Sequence, residues 1–358
     1  MIPPASTALL GSRRESRRTD VPVLDCSEKD ILKPKMIVYL ARPRGFCAGV
    51  DRAIDIVKFA MAQFSPPVYV RHEIVHNHHV VSDLRERGAV FVDDLTEIPE
   101  GSVTVFSAHG VAPEVRAQAK ARRLRVIDAT CPLVTKVHLE AIRYAKQGFH
   151  IILIGHRNHV EVEGTMGEAP NHITLVETME DIERLEISDP DRVAVVTQTT
   201  LSVDDAAIML QALRDKYPNI RQPKAHDICY ATTNRQAAVR EMAKFCQAIL
   251  VIGSPTSSNS NRLVEVALSK GIRSYLVDDA SEISPDMLMG VEKLGITAGA
   301  SAPELIVQSI LARLRKSYNI TSLEEVAVGS EEVAFSFDKQ KINMALDSGA
   351  TPATDSGV

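Results

Sequence analysis

Short apolar runs alternate along the chain with longer stretches whose apolar residues recur at a helical spacing. The runs predict strands at Met36–Ala41, Val68–Val75, Val103–Ser107, Arg125–Ala129, Ile151–Ile154, Val193–Thr197, Ala248–Ile252 and Ser274–Val277. Between many of them the helical period predicts helices, as in Val115–Arg123 and Asn261–Lys270. Strand, helix and strand at such spacing build parallel βαβ units, which cross over right-handed. The fold class is therefore α/β with mainly parallel sheets.

A weaker pattern repeats around three cysteines. Met36–Phe64 reads strand, RPRGFCAGVD, helix; Arg125–Gln147 reads strand, DATCPLVTK, helix; Ala225–Gln247 gives HDICYATTNR and then a helix. Cys47, Cys131 and Cys229 are each expected at the C-terminal end of a strand and just before a helix, so three units could bring three thiols to one centre. A helix N-terminus acidifies a thiol and makes it a ready metal ligand. The plain alternative is three buried cysteines acting as small hydrophobes, yet their Gly-, Pro-, Asp- and Thr-rich settings are unlike an apolar core. Cys246, inside KFCQAIL, reads as core, and Cys26 receives no role. Three thiolates do not close a structural zinc site. They could hold an iron–sulfur cluster with one iron left open to pass electrons and act as a Lewis acid.

Composition narrows the class. A length of 358 residues predicts two or three domains, and 45% hydrophobic with 24% charged residues is ordinary for a globular protein. The longest apolar runs are too short for a membrane span. A net charge of -5, no tryptophan and 4% aromatics give no footprint for nucleic acid. Five cysteines without a C-x-x-C pair fit a reducing cytoplasm. Residues 1–35 carry Arg13, Arg14, Arg17 and Arg18 without an apolar segment, and read as a disordered tail rather than a secretory signal. Lys339–Val358 also reads as a solvated tail.

Several histidines follow strand-like runs: His76, His109, His156 and His159. In parallel sheets that edge is where ligands bind, although any one such histidine is more often structural. His78 and His79 read as surface residues or supports. No phosphate-binding loop or dinucleotide fingerprint is present, but Ala248–Asn261 and Ile296–Glu304 end in small hydroxyl residues before helices, a setting that suits a phosphate. Ser257, Ser258 and Asn259 favour an anion; Ser301 with Glu304 fits a capping box equally well. Glu161, two residues after His159, is either a solvated charge or a proton relay beside a cofactor.

These stretches carry a resemblance. RGFCAGVDRAI, VRHEIVHN, SAHGV, DATCPLVTKVH, EVEGTMG, TQTTLSVDD, DICYATTNRQ, SSNSNRL and TAGASAP, in that order from Met36 to about Arg315, resemble the 4-hydroxy-3-methylbut-2-enyl diphosphate reductase (LytB/IspH) family. The resemblance implies three small α/β domains in a pseudo-threefold trefoil around a central cluster: 49–131, 132–225, and 36–48 with 226–315, followed by an extension over 316–338. It implies a [4Fe-4S] cluster on Cys47, Cys131 and Cys229 with one open iron. It implies a diphosphate clamp of His76, His109, Ser257, Asn259 and Ser301, with Ser258 and His159 also lining the pocket. Glu161 would be the proton-relay acid and Thr199 a hydroxyl near the substrate alcohol. The implied reaction reduces an allylic alcohol to isopentenyl and dimethylallyl diphosphate, in the last step of the methylerythritol phosphate route. Electrons would come from ferredoxin or flavodoxin in the cytoplasm, with no membrane or nucleic-acid partner. Val160 stands where the family often has proline, which would fix the backbone beside Glu161. An iron–sulfur hydro-lyase and a non-enzymatic phosphate or metal sensor are the other functions this residue set allows.

Overall fold

The structure, a computed structural model, describes residues 33–223, 226–340 and 342–343. Strand β1 (Lys35–Arg42) leads into helix α1 (Ala48–Gln63). Then come β2 (Val68–Arg71), α2 (His78–Glu86), β3 (Ala89–Val92), β4 (Val103–Phe106), α3 (Pro113–Ala121), β5 (Arg125–Asp128) and α4 (Pro132–Lys146). The middle of the chain forms β6 (His150–Ile154), α5 (Val160–Glu168), β7 (Ile173–Val176), α6 (Met179–Arg184), β8 (Val193–Thr197) and α7 (Val203–Lys216). The last third forms α8 (Tyr230–Met242), β9 (Ala248–Ile252), α9 (Ser258–Ser269), β10 (Arg273–Val277), β11 (Lys293–Ala298), α10 (Glu304–Ser317) and β12 (Asn319–Ala327).

The strands make three sheets, ordered β3-β2-β4-β5, β7-β6-β8 and β10-β9-β11-β1-β12. Every ladder pairing between these strands is parallel. Central strands β4 (VTVF) and β9 (AILVI) are buried along their whole length, as strands covered by helices on both faces must be. In the five-stranded sheet, Leu250, Ile296 and Ile310 pack on one face while Val239, Val251 and Leu263 pack on the other. The first strand of the chain is thus built into the sheet of the last third, between β11 and β12.

The expected strands are present, with one clear shortening. The run expected over Val68–Val75 stops at Arg71, because His72 turns into the left-handed region at φ 59°. Strands β3, β7, β11 and β12 are not among the expected runs, although Ile296–Glu304, at the end of β11, reads as leading into a helix. β12 carries exposed Glu324 and Glu325, an edge-strand pattern without apolar alternation, yet it pairs with β1 from Lys35↔Asn319 to Arg42↔Ala327. Within the tail expected over Lys339–Val358, Ile342 is buried against the core under α1, and just before it Phe337 packs edge-on to Phe59 at 5.8 Å; residues from 344 on lie outside the described residues. The N-terminal tail lies outside the described residues apart from 33–35. Cys246 is core, 4% exposed.

Candidate active site

The three cysteines occupy equivalent places. Cys47, Cys131 and Cys229 are the N-cap residues of α1, α4 and α8, each with extended backbone angles. Each backbone N–H donates to the carbonyl two residues beyond a neighbouring strand: Cys131 to Ala108 after β4 (2.9 Å), Cys229 to Thr199 after β8 (3.1 Å), and Cys47 to Ala300 after β11 (3.3 Å). One such bond comes from each sheet, so the three sheets meet tip to tip at the thiols. The third repeat departs from expectation in one respect: no strand immediately precedes Cys229, and an isolated bridge between Arg221 and Ala194 stands in its place.

The three residues line one pocket of about 700 Å³ of free space, part of it open to solvent. Its donor set is soft. A Cβ built at Gly49 would lie 2.7 Å from Cys131 Sγ and 3.9 Å from Cys47 Sγ, so glycine there keeps the space beside the sulfurs clear. Burial first, and then the neighbouring thiol Cys47, pushes Cys131 up to about 12 and Cys229 up to about 11. Left to themselves, these thiols stay protonated; thiolate charge here calls for a cation among them.

Histidines form a second wall. The His76 and His109 rings stack at 4.2 Å, with His159 edge-on at 5.6 Å from His76 and 6.1 Å from His109. Burial, followed by the neighbouring histidines, holds His109 well below the usual imidazole range and His159 down at about 4. Both are therefore neutral near pH 7. His159 caps α5 by accepting the Glu161 N–H on Nδ1 at 3.1 Å, which leaves its one proton on Nε2. His156, by contrast, falls outside this pocket, beside Arg262 and Glu177.

Hydroxyl and amide groups close the third side. Ser257 caps α9 and Ser258 opens it, with Ser258 Oγ 3.0 Å from Thr200 Oγ1. Asn259 is 5% exposed, and both its side-chain Oδ1 and Nδ2 are buried without a hydrogen-bond partner. Such a group costs free energy until something enters to pair it. The capping box expected of Ser301 and Glu304 does not form: α10 is capped by Pro303 without a side-chain bond, and Ser301 Oγ instead donates to the His76 carbonyl at 3.0 Å.

Glu161 sits at the second position of α5, 3% exposed. Its carboxylate accepts the Thr199 N–H (2.7 Å) and the Thr199 hydroxyl (2.9 Å). Burial raises Glu161 to about 7, against the lowering effect of those two bonds. Val160 is the first residue of α5, where the backbone N–H has no intrahelical partner, so the helix entry does not require proline.

Three contributors were not singled out in the sequence, although they lie inside the TQTTLSVDD and DICYATTNRQ stretches. Thr200 lines the pocket, and the Tyr230 hydroxyl accepts the Ala48 N–H at 3.2 Å, tying the helix after Cys229 to the helix after Cys47. Arg235, fully buried in α8, donates to the Gly45 carbonyl at 2.7 Å and pairs with Glu331 at 2.9 Å. The partners stand 96 residues apart, and no local pattern announces the pair.

The fold and site define a class: a three-sheet α/β protein whose strand ends enclose three thiols beside imidazole, hydroxyl and amide groups and a buried carboxyl group raised to about 7. The LytB protein family model matches residues 38–315. A Bordetella pertussis protein named 4-hydroxy-3-methylbut-2-enyl diphosphate reductase is 56% identical over 302 residues, covering 84% of this chain and 93% of its own length. A Burkholderia mallei protein named 4-hydroxy-3-methylbut-2-enyl diphosphate reductase 2 is 54% identical over 298 residues, 83% of this chain and 91% of its own. The solved E-1-hydroxy-2-methyl-but-2-enyl-4-diphosphate reductase from Plasmodium falciparum superposes with a TM-score of 0.84 at 39% identity, covering 88% of this chain and 99% of that one. This chain belongs to the LytB family.

Proposed function

We propose that the chain is an iron–sulfur oxidoreductase that removes the hydroxyl of (E)-4-hydroxy-3-methylbut-2-enyl diphosphate reductively, the last step of the methylerythritol phosphate route. Allylic alcohol, two electrons and two protons give water and isopentenyl or dimethylallyl diphosphate. The observation that carries this reading is the unpaired Asn259 amide, buried in the same pocket as three converging thiols and a raised carboxyl group. The names of the relatives supply the substrate class.

The donor set fits a sulfur-held iron cluster: three thiols from three helix N-termini, with the Gly49 position kept clear. A [4Fe-4S] cluster on Cys47, Cys131 and Cys229, with one iron free of protein ligands, supplies electrons and a Lewis acid when bound.

The chain's own residues do the rest. The His76 imidazole, the neutral imidazoles of His109 and His159, the Ser257, Ser258 and Ser301 hydroxyls, the Asn259 amide and the N-terminus of α9 hold the diphosphate as hydrogen-bond donors. This anchoring points the alcohol end of the substrate at the thiol side of the pocket. Glu161, raised to about 7 and so still partly in its acid form at neutral pH, gives its proton to the departing hydroxyl directly or through Thr199 Oγ1. Burial keeps bulk water from competing for that proton. Protonation of the carbon skeleton at either end of the allylic system gives the two products.

Electrons arrive from a separate cytoplasmic carrier, a ferredoxin or flavodoxin. No helix among the described residues is long and apolar enough to cross a membrane. The test is an anaerobic assay with reduced methyl viologen as the electron source. Two viologens oxidised per product molecule support the reading. Loss of water without viologen oxidation would mark a hydro-lyase, and binding without turnover a sensor; either overturns it.

A further inference from the structure

Away from the pocket, two histidines meet a carboxylate across the seam between two sheets. His78 and His79 open α2 directly after its N-cap Asn77, and Asp278 lies just beyond β10. His78 Nδ1 is 2.6 Å from Asp278 Oδ2; His79 Nε2 is 2.9 Å from the Asp278 carbonyl and 3.9 Å from Oδ1. One donor atom from each residue lies within 4.8 Å of the other two. The Asp278 side chain is 10% exposed, and its backbone N–H donates to Glu282 at 2.9 Å, which fixes the loop.

We propose that His78, His79 and Asp278 form a second metal site, for a divalent transition ion of the zinc, nickel or cobalt class. Two imidazole nitrogens and one carboxylate oxygen suit these borderline ions, whereas calcium and magnesium take oxygen donors. Three protein ligands leave an outer position for water, on the side where His78 is exposed. Ligands around a tetrahedral ion with bonds of about 2 Å stand roughly 3.3 Å apart. The ion therefore replaces the hydrogen bond between His78 and Asp278 and widens that 2.6 Å contact by about 0.7 Å. Such an ion joins the start of α2 to the end of β10. His76, two residues before His78, lies in the main pocket, so the ion acts as a staple between two sheets beside that wall. Its role is to stabilise the arrangement, separate from the chemistry at the thiols.

The test titrates purified, untagged protein with Ni²⁺ alone, by calorimetry and by thermal melting. One Ni²⁺ per chain should bind through this cluster. Its affinity should fall at least tenfold in His79→Ala and in Asp278→Asn, and Ni²⁺ should raise the melting midpoint of the parent but not of these variants. Nickel held at the pocket thiols would register as a separate equivalent indifferent to His79→Ala. The absence of any equivalent sensitive to His79→Ala overturns the proposal. If Asp278→Asn does not fold, His78→Ala replaces it, with the same tenfold loss expected and an unchanged affinity counting against the site.

Discussion

Thr199 gives both its N–H and its hydroxyl to the Glu161 carboxylate while its carbonyl receives the Cys229 N–H. One residue thus joins the raised acid of the pocket to one of the three cysteine caps. The placement of this buried carboxyl group and of the third thiol is a single structural problem, solved by the turn after β8.

Replacing Glu161 by Gln keeps much of the hydrogen-bonded shape and removes the transferable proton. Turnover should fall about a hundredfold or more, with cofactor content and substrate binding kept. Wild-type turnover by Glu161→Gln contradicts the assignment.

The pH dependence follows from the same pair. Glu161 is raised to about 7, so its acid form is complete well below that and disappears as pH rises through about 7. Rates limited by this proton should fall on the alkaline side. The Thr199 bonds lower Glu161, so Thr199→Ala, which removes the hydroxyl donor, should shift that limb to higher pH. A limb that does not move separates Glu161 from the rate.

Asn259 offers a test of binding against stability. Its amide has no hydrogen-bond partner among the described residues, so Asn259→Ala should leave the melting temperature unchanged or slightly raised. A hydrogen bond to a charged ligand contributes about 1.5–3 kcal/mol, and KM should rise roughly tenfold to a hundredfold. A large loss of stability with unchanged KM would make Asn259 structural.

Glu331 compensates a fully buried guanidinium. Glu331→Ala leaves Arg235 charged and half-satisfied, and should cost about 3 kcal/mol or more in denaturant unfolding. The lost support falls on the Gly45 carbonyl, just before Cys47. A change under about 0.5 kcal/mol would show that the C-terminal segment does not brace this loop.

The repeat of cysteine and helix was legible in the sequence because capping is local: a small polar stretch ending a strand and opening a helix marks itself. The histidines at strand ends were legible for the same reason. The residues alone do not reveal the bond from Cys47 to Ala300, which spans most of the chain, although the resemblance already joins 36–48 to 226–315. β12 escaped notice because an edge strand with Glu324 and Glu325 outward lacks the apolar run that marks a buried one. The sequence leaves Ser301 open between a capping box and an anion site, since local spacing cannot show that its hydroxyl reaches His76 from another sheet. His78 and His79 read as surface residues or supports, and His78 is exposed, but only the fold shows Asp278 beside them both.

The central claim, three thiols from three sheets holding one redox cofactor, is tested most directly by counting iron, acid-labile sulfide and zinc per chain after anaerobic purification. The account predicts about four irons and four sulfides, lost in Cys47→Ala, Cys131→Ala and Cys229→Ala and retained in Cys246→Ala. Stoichiometric zinc without sulfide, persisting after cluster reconstitution, would contradict it.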